Sequence, residues 1–342
     1  MNILLCKVGG LGDSLSALPA LAALRRSLTG AELTVLCSPV GAQVFSAVPQ
    51  VRIVAIERGD LSGQRGLWRV PDLVRCIGTQ DIALLSHDEC TTVHIVARMV
   101  GRRRLGFAAG IARGEGLLRE RLTFDAQTSP YEHAMDLVRR ICPQALPLTR
   151  VAPKVDPPDA WLAARGVDGP YGVVHIGAAT ALQRWEAARF IDTARHLSAV
   201  TRYPWLIIDM AAKLSLPGLG GLIGRARGFV GNHSGPLHLA AALGVPWVAV
   251  AGPSARAWDP PWTDVPGRVL RADLPCVACG RLGAPVHECP SKTPRACLDA
   301  LTPEHVAGAM LEILESRAHD RLVRPAQPAG LDDSCALSAA GR

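Results

Sequence analysis

The sequence predicts an α/β protein made of two similar halves, each built on a parallel sheet. Short apolar runs alternate with helix-length stretches, prolines cluster near the middle of the chain, and the alternation then restarts. A chain of 342 residues is long enough for two domains that each bury a core. We expect a first domain over 1–150, a proline-rich linker over 151–170, a second domain over 171–316 and a disordered tail over 317–342.

In the first half, apolar runs are the expected strands, and segments with helical periodicity separate them. The predicted strands are Asn2–Lys7, Glu32–Cys37, Val51–Ile56, Ile82–Ser86 and Arg104–Phe107. The predicted helices are Ser14–Leu28, Leu67–Ile77, Cys90–Val100 and Tyr131–Cys142. Because helix-length segments join successive strands, the strands should pair in parallel.

The second half repeats this alternation. Its predicted strands are Gly172–Ile176, Trp205–Ile208, Gly228–Gly231 and Trp247–Ala251. Its predicted helices are Glu186–Val200, Pro236–Leu243 and a final helix from about Pro303 to Ser316. Thr302 and Pro303 supply the N-cap and the first turn of that final helix.

Composition excludes several classes of protein. A hydrophobic fraction of 49% excludes a wholly disordered chain, and 4% aromatic residues are too few for a base-stacking surface. The net charge of +7 is compatible with anionic partners, although arginine-rich codon usage explains it equally well. No stretch has the form of a signal peptide or a membrane span, so we expect a cytoplasmic protein.

A glycine-rich loop, Val8 to Asp13, follows the first predicted strand. Its glycines allow a ligand to approach the backbone, and the next helix would present its N-terminus to an anion. A dinucleotide-binding loop fits poorly, because Leu15 stands where the third glycine is required and no acidic residue ends the second strand. Asp13 has two interpretations, as a helix N-cap or as a general base beside a cleft.

A second motif occupies Gly231 to Pro246. A predicted strand ends at Gly231, and Ser234-Gly235-Pro236 forms a turn that leads into an alanine-rich helix. Backbone amides at such a turn can hold a diphosphate without a metal ion, helped by the helix dipole. The alternative is a Gly-Pro turn that only packs into the core.

Together these segments resemble glycosyltransferase family 9, the heptosyltransferases, over roughly residues 1–315. The second motif carries the most specific likeness. The matching segments are Gly10–Asp13 with Leu18–Leu21, Gly101–Phe107 with His133, Arg184-Trp185, Ser234–Pro246, and Cys297-Leu298 leading to Leu301–Val306.

The resemblance implies a GT-B fold, in which two Rossmann-like domains face a central cleft. It also implies an ADP-heptose-type donor and inversion at the anomeric carbon without a required metal. By residue-for-residue transfer, Asp13 is the base, Arg184 neutralises the departing diphosphate, and the Ser234 and Gly235 amides hold its oxygens. The implied donor-binding set is Gly12, Arg184, His233, Ser234, Gly235, Pro236 and His238. The implied acceptor-binding set is Gly10, Arg102 and Arg103, although two or three adjacent arginines are also typical of a solvated surface.

Three features depart from the family's usual sequence. His233 stands where an aspartate usually precedes Ser-Gly, and Gln183 replaces a lysine two residues before Trp185. The segment from Trp205 to Leu219 is short, in a region where the family has an acidic residue that contacts the nucleotide ribose.

Four of the ten cysteines crowd into one segment. Cys276 and Cys279 form a C-x-x-C pair, followed by Cys289 and Cys297, with His287 close by. This spacing predicts a structural zinc or iron site, and the alternative is four reduced cysteines that merely pack together. The chemistry itself is expected to need no cofactor.

The sequence therefore predicts a cytoplasmic inverting transferase of a heptose-like sugar. Its expected partners are a nucleotide-sugar donor and a glycolipid or glycan acceptor such as the lipopolysaccharide core, with peripheral contact at the inner membrane and no nucleic acid. The alternatives are a protein- or metabolite-directed heptosyltransferase and a non-catalytic nucleotide-sugar-binding protein.

Overall fold

A computed structural model describes residues 1–110, 113–143, 147–209, 214–282, 286 and 288–323. Within these residues the chain forms two parallel sheets, one in each half, with helices on their faces. The two-sheet α/β architecture predicted from the sequence is confirmed. No helix among the described residues is both long enough and apolar enough to cross a bilayer.

The first sheet has six strands in the order β3-β2-β1-β4-β5-β6, and all of its pairs are parallel. Cys6 of β1 lies opposite Leu36 of β2 and Leu85 of β4, so the central strands end together at one edge. β1 is buried along nearly its whole length, as expected for a strand covered on both faces. The strands are β1 (Asn2–Lys7), β2 (Glu32–Cys37), β3 (Val51–Ala55), β4 (Gln80–Leu85), β5 (Gly101–Ala108) and β6 (Glu120–Thr123).

The second sheet has five parallel strands in the order β11-β10-β9-β7-β8. In each sheet the chain reverses its direction of winding once, between β1 and β4 in the first and between β7 and β9 in the second. Such reversal points leave a crevice at the carboxyl ends of the strands, which is the usual ligand site of open α/β sheets. The strands are β7 (Gly172–His175), β8 (Trp205–Ile208), β9 (Phe229–Asn232), β10 (Trp247–Val250) and β11 (Gly267–Leu270).

Helices cover both sheets and join the halves. α1 of the first half packs against α9 of the second, and buried side chains of the two helices belong to one continuous apolar core. This contact brings the carboxyl ends of the strands of one sheet opposite those of the other. The helices are α1 (Leu11–Ser27), α2 (Pro39–Phe45), α3 (Gly63–Ile77), α4 (Thr91–Val100), α5 (Pro130–Ile141), α6 (Asp159–Ala163), α7 (Ala187–Thr201), α8 (Leu216–Gly224), α9 (Gly235–Ala242), α10 (Ala296–Asp299) and α11 (Pro303–Val323).

The structure differs from the sequence prediction mainly at short elements and at boundaries. α1 begins at Leu11, so Asp13 lies in its first turn and Gly10 is the N-cap. The short edge strands β6 and β11 were not predicted, because their residues are too polar to form an apolar run. α11 continues past Ser316 to Val323, and the rest of the predicted tail, 324–342, lies outside the described residues.

Candidate functional site

A cleft of about 760 Å³ opens between the carboxyl ends of the two sheets. Its walls combine the loop after β1 with the segments that follow β7, β8, β9 and β10. The points at which the two sheets reverse their direction of winding therefore both border this cavity, so a bound molecule would contact both halves. Of the residues predicted for the site, the cleft wall includes Gly10, Gly12, Asp13, His233, Ser234, Gly235, Pro236 and His238.

Asp13 is held at this wall by its own loop. Its Oδ2 accepts a hydrogen bond from the Gly10 amide at 2.8 Å, and its Oδ1 lies 3.5 Å from the Lys7 Nζ. The side chain keeps 23% of its surface exposed, so a carboxylate oxygen remains accessible from the cleft. The N-cap interpretation of Asp13 is therefore wrong, because Gly10 is the N-cap and Asp13 lies three residues later with one oxygen bound to the Gly10 amide. The residue still faces the cavity, as a general base would.

Lys7 joins Asp13 to a buried acidic pair at the end of β4. The lysine is 2% exposed, and its Nζ donates to Asp88 Oδ1 at 2.7 Å. Burial opposes its charge, but Asp88, Asp13 and Glu89 together raise the pKa of Lys7. Burial likewise opposes the charge of Asp88, yet Lys7 holds the pKa of Asp88 well below its usual range. Lys7 is therefore a fixed cation that orients Asp13.

The first turn of α9 forms the opposite wall. Ser234 is its N-cap and Gly235 its first residue, and the first amides of a helix have no intrahelical partner. A Cβ atom on Gly235 would lie 2.9 Å from the Leu11 Cβ, and one on Gly12 would lie 3.2 Å from the His238 Cδ2. The glycines are therefore required for the close approach of the two loops, which brings the loop of Asp13 to the N-terminal end of α9.

His238 is a neutral, buried residue in this contact. Burial and the nearby His233 lower the pKa of His238 to about 3. Its Nδ1 is 3.0 Å from the hydroxyl of Tyr131, which lies on α5 of the first half. Burial raises the pKa of Tyr131, so the phenol stays protonated, and the tautomer of His238 decides whether the phenol or Nδ1 donates in this hydrogen bond. Sequence reasoning missed Tyr131, which no local motif singles out.

His233 contacts a carboxylate from another loop. Its Nε2 is 3.0 Å from Asp259 Oδ1, and Arg271 binds the same carboxylate through two hydrogen bonds of 2.9 and 2.6 Å. Burial opposes ionisation of Asp259, but the hydrogen bonds from His233 and Arg271 lower its pKa. An acidic group therefore stands beside position 233, although it comes from a distant part of the sequence.

Another carboxylate lines the cleft at the end of β8. The short segment after Trp205 predicted no acidic residue for a ribose, but the structure places Asp209 in the cleft wall. Residues 210–213 lie outside the described residues. The expectation of a missing acidic group is therefore corrected. The signal was present in the sequence, as an aspartate directly after a predicted strand.

The motif around Trp185 lies at the rim of the cleft. Gln183 lines the cavity, whereas Arg184 is exposed and donates to the carbonyl of Ala178, which lines it. Trp185 is buried, and its backbone amide donates to the Asn232 side chain at 2.8 Å. Arg295 donates to the Arg184 carbonyl at 2.7 Å, which ties this loop to the cysteine segment.

Arg102 and Arg103 do not reach the cleft. They lie at the start of β5, and Arg103 pairs with Ile82 near the start of β4, so both are at the opposite edge of the sheet. Arg102 lies 3.7 Å from Asp81, and Arg103 makes a two-bonded ion pair with Glu120. The acceptor-binding role expected of this pair is thus corrected in favour of a solvated surface.

All four clustered cysteines border one small cavity of about 20 Å³. Burial raises the pKa of Cys279 and of Cys297, whereas amide hydrogen bonds from Arg295 and Ser291 lower the pKa of Cys289. Within the described ranges, no group of three or more His, Cys, Asp or Glu side chains is arranged closely enough to hold a metal ion. His287 lies outside the described residues.

Comparison with known proteins identifies the relatives of the chain. The family described as glycosyltransferase family 9 (heptosyltransferase) matches residues 183–287. Lipopolysaccharide heptosyltransferase 1 of Pseudomonas aeruginosa is 26% identical over 320 residues, which cover 82% of this chain and 86% of that protein.

Solved structures share the fold. The ADP-heptose lipopolysaccharide heptosyltransferase II of Escherichia coli superposes with a TM-score of 0.70 at 19% identity, covering 93% of this chain and all of that one. An iron-containing dodecameric glycosyltransferase of enterotoxigenic E. coli gives 0.60 at 17% identity, covering 93% and 79%. These likenesses show the GT-B fold. The family match over residues 183–287 and the pseudomonad relative show that the chain is similar to the glycosyltransferases of family 9.

Proposed function

We propose that this enzyme transfers a heptose-like sugar from ADP-heptose to an acceptor hydroxyl, with inversion at the anomeric carbon. The observation that carries the proposal is the contact of Gly12 with His238, which sets the Asp13 carboxylate beside the first amides of α9. This contact supports a base and an anion site on two sides of one cavity, as a single displacement requires.

The donor side of the proposal rests on the second sheet. The unpaired amides at Ser234 and Gly235, with the dipole of α9, suit the diphosphate of the nucleotide. We assign the ribose contact to Asp209, which lines the cleft, because acidic residues at strand ends accept hydrogen bonds from the ribose in related folds. The E. coli protein is named for ADP-heptose, which supports the same donor here.

In the proposed reaction, Asp13 takes the proton of the acceptor hydroxyl while the oxygen attacks the anomeric carbon from the side opposite the diphosphate. Lys7 keeps the carboxylate oriented through its Oδ1 contact. The bond to the diphosphate breaks as the new bond forms, and the amides of α9 stabilise the negative charge that develops there. Donors fixed in such a position contribute several kcal/mol to the transition state.

The test is transfer measured with ADP-heptose and a heptose-deficient lipopolysaccharide core. Asp13→Asn should lower kcat by about 10³-fold while ADP affinity stays within about twofold. Asp72→Asn, an exposed substitution on α3, is the matched control and should act like the unmodified chain. Turnover that is indifferent to Asp13 would refute the mechanism, and ADP binding without transfer to any acceptor would indicate a non-catalytic binding protein.

For the acceptor we propose a lipopolysaccharide-core glycolipid, reached from the cytoplasmic face of the inner membrane. The name of the Pseudomonas relative, a lipopolysaccharide heptosyltransferase, supports this choice. A protein or a small metabolite as acceptor is the second candidate, favoured by the cysteine-lined cavity that this chain carries. Parallel assays with core glycolipid, unmodified protein and free sugar acceptors distinguish the two.

We further propose that Cys276, Cys279, Cys289 and Cys297 hold a structural zinc or iron ion in a conformation in which their thiols lie closer together than they do in this structure. The four residues border one cavity, and thiolates are the preferred ligands of both metals. The metal would brace the segment around Arg295, and no step of the transfer passes through it. Elemental analysis of protein purified without chelator should give about one metal per chain, and Cys279→Ser should lower both the metal content and the Tm.

A further inference from the structure

The pair formed by His233 and Asp259 has no role in the mechanism above, yet it lies at the donor end of the cleft. His233 directly precedes Ser234, and its backbone amide is fixed by a hydrogen bond to the Val250 carbonyl at 2.9 Å. The residue is 4% exposed, and it lines the cleft. Its imidazole is thus beside the amides proposed to hold the donor diphosphate.

The geometry fixes which nitrogen of His233 carries a proton. Asp259 is ionised, because its pKa is lowered by the hydrogen bonds from His233 and Arg271 in spite of burial. An ionised carboxylate can only accept hydrogen bonds, so the Nε2 atom 3.0 Å away must be the donor. The other nitrogen, Nδ1, makes no hydrogen bond to any of the described residues.

The side chains that contact His233 carry little net charge before an anion arrives. Asp259 and Arg271 neutralise each other, so the three side chains carry no net charge with a neutral imidazole and one positive charge with an imidazolium. The nearest other titratable ring, His238, is neutral, with ring centroids 5.9 Å apart. Among the residues that the structure describes, the other ionisable groups that line the cleft are Asp13, His175, Asp209 and Arg281.

We propose that His233, oriented by Asp259, binds the diphosphate of the donor as an imidazolium that donates from Nδ1. Asp259 is a positioning residue: it accepts from Nε2 and compensates the imidazolium charge, and Arg271 holds it in place. His233 thereby supplies positive charge at a position where relatives of this family usually have an aspartate. The proposal rests on the proposed donor site and adds the group that recognises its phosphates.

This arrangement has a measurable signature, because binding of the anion takes a proton from the buffer. Calorimetry of ADP binding at one pH, in buffers with different ionisation enthalpies, gives the number of protons exchanged. The unmodified enzyme should take up a larger fraction of a proton than His233→Asn, which should also bind ADP about 10- to 100-fold more weakly. The proton exchange of ADP itself is the same for every variant and cancels.

Two further variants separate positioning from folding. Asp259→Asn keeps the imidazole but leaves Arg271 facing it without a negative charge, so proton uptake should be lost and affinity should fall by about 10-fold. His196→Asn, at an exposed histidine on α7, is the matched control and should change neither quantity. Melting temperatures of all variants identify any that fail to fold.

Inorganic pyrophosphate is the second probe, and it separates this proposal from the identity of the nucleotide. Pyrophosphate binding with His233-dependent proton uptake, without ADP binding, would refute the ADP donor and leave the imidazolium site standing. Equal affinity and equal proton exchange for the unmodified enzyme and His233→Asn would overturn the inference. Binding of neither probe would overturn it together with the proposed donor site.

Discussion

Glu89 tests the electrostatics of the buried charges that support the loop after β1, because replacing this residue should stabilise the protein. The side chain is 2% exposed, and one oxygen accepts from the Val8 amide at 2.9 Å. Burial and the neighbouring Asp88 raise the pKa of Glu89 from 4.5 to about 7, against the opposing effect of Lys7. The folded chain therefore holds a proton at this position over a range of pH in which the unfolded chain has released it.

The sign and size of the effect follow from this difference in pKa. Below pH 4.5 both states are protonated and Glu89 carries no penalty. Between pH 4.5 and about 7 the free energy of unfolding falls as pH rises, because only the unfolded state ionises freely. Above pH 7 the full penalty on the free energy of unfolding applies. It amounts to about 3 kcal/mol, because the pKa of Glu89 is 4.5 in the unfolded chain and about 7 in the folded one, and a difference of one in pKa corresponds to about 1.4 kcal/mol.

Glu89→Gln removes the penalty and keeps an oxygen for the Val8 amide. The variant should match the unmodified protein near pH 4 and exceed its free energy of unfolding by about 3 kcal/mol at pH 8. Urea unfolding followed by tryptophan fluorescence, at several pH values, measures the difference. Glu57→Gln, at an exposed position, controls for loss of a charge. A constant difference across pH, or a destabilised variant at pH 8, would refute the reasoning.

Two further predictions concern the contact between the halves, and a third concerns the donor end of the cleft. Gly12→Ala should lower kcat/KM by at least about tenfold, because the new Cβ would lie 3.2 Å from His238, whereas Gly30→Ala, with open space around it, should leave kinetics unchanged. Tyr131→Phe should reduce the free energy of unfolding by about 1–3 kcal/mol, since it leaves the buried His238 Nδ1 without its hydrogen-bond partner; an unchanged urea midpoint would contradict this. His233→Asp should weaken ADP binding, because it sets a second carboxylate beside Asp259, and adding Asp259→Asn should recover part of the loss in the same calorimetric assay.

The sequence predicted the architecture well because the strands that build it are continuous apolar runs. Asn2–Lys7, Glu32–Cys37 and Trp205–Ile208 have the predicted bounds, since each is an apolar run sharply delimited by polar or turn residues. The edge strand β6 was missed for the converse reason, because its side chains alternate between partly buried and exposed. Local periodicity reports burial, so elements that are little buried leave little signal.

The residues of the candidate site also fall into some that the sequence predicts and some that it does not. Asp13 and Ser234 could be found because each lies in a glycine-bearing turn after a strand, where the fold itself places ligands. Asp259 and Tyr131 could not be found, since their roles depend on contacts 26 and 107 residues away along the chain. The misplacement of Arg102 and Arg103 has a related cause. A strand segment does not show which of its ends faces the cleft until the sheet order is known.

The hydrogen bond from Arg295 to the Arg184 carbonyl connects the cysteine-lined cavity to the loop at the rim of the cleft. The amide of Arg295 also donates to Cys289 Sγ, so one residue contacts both the cysteine segment and that loop, and this contact can link the two sites thermodynamically. A ligand of the thiols that orders Arg295 changes the affinity of the nucleotide by some factor, and the nucleotide must then change the affinity of that ligand by the same factor. Affinities for ADP are therefore comparable between preparations only when the occupancy of the four cysteines is the same.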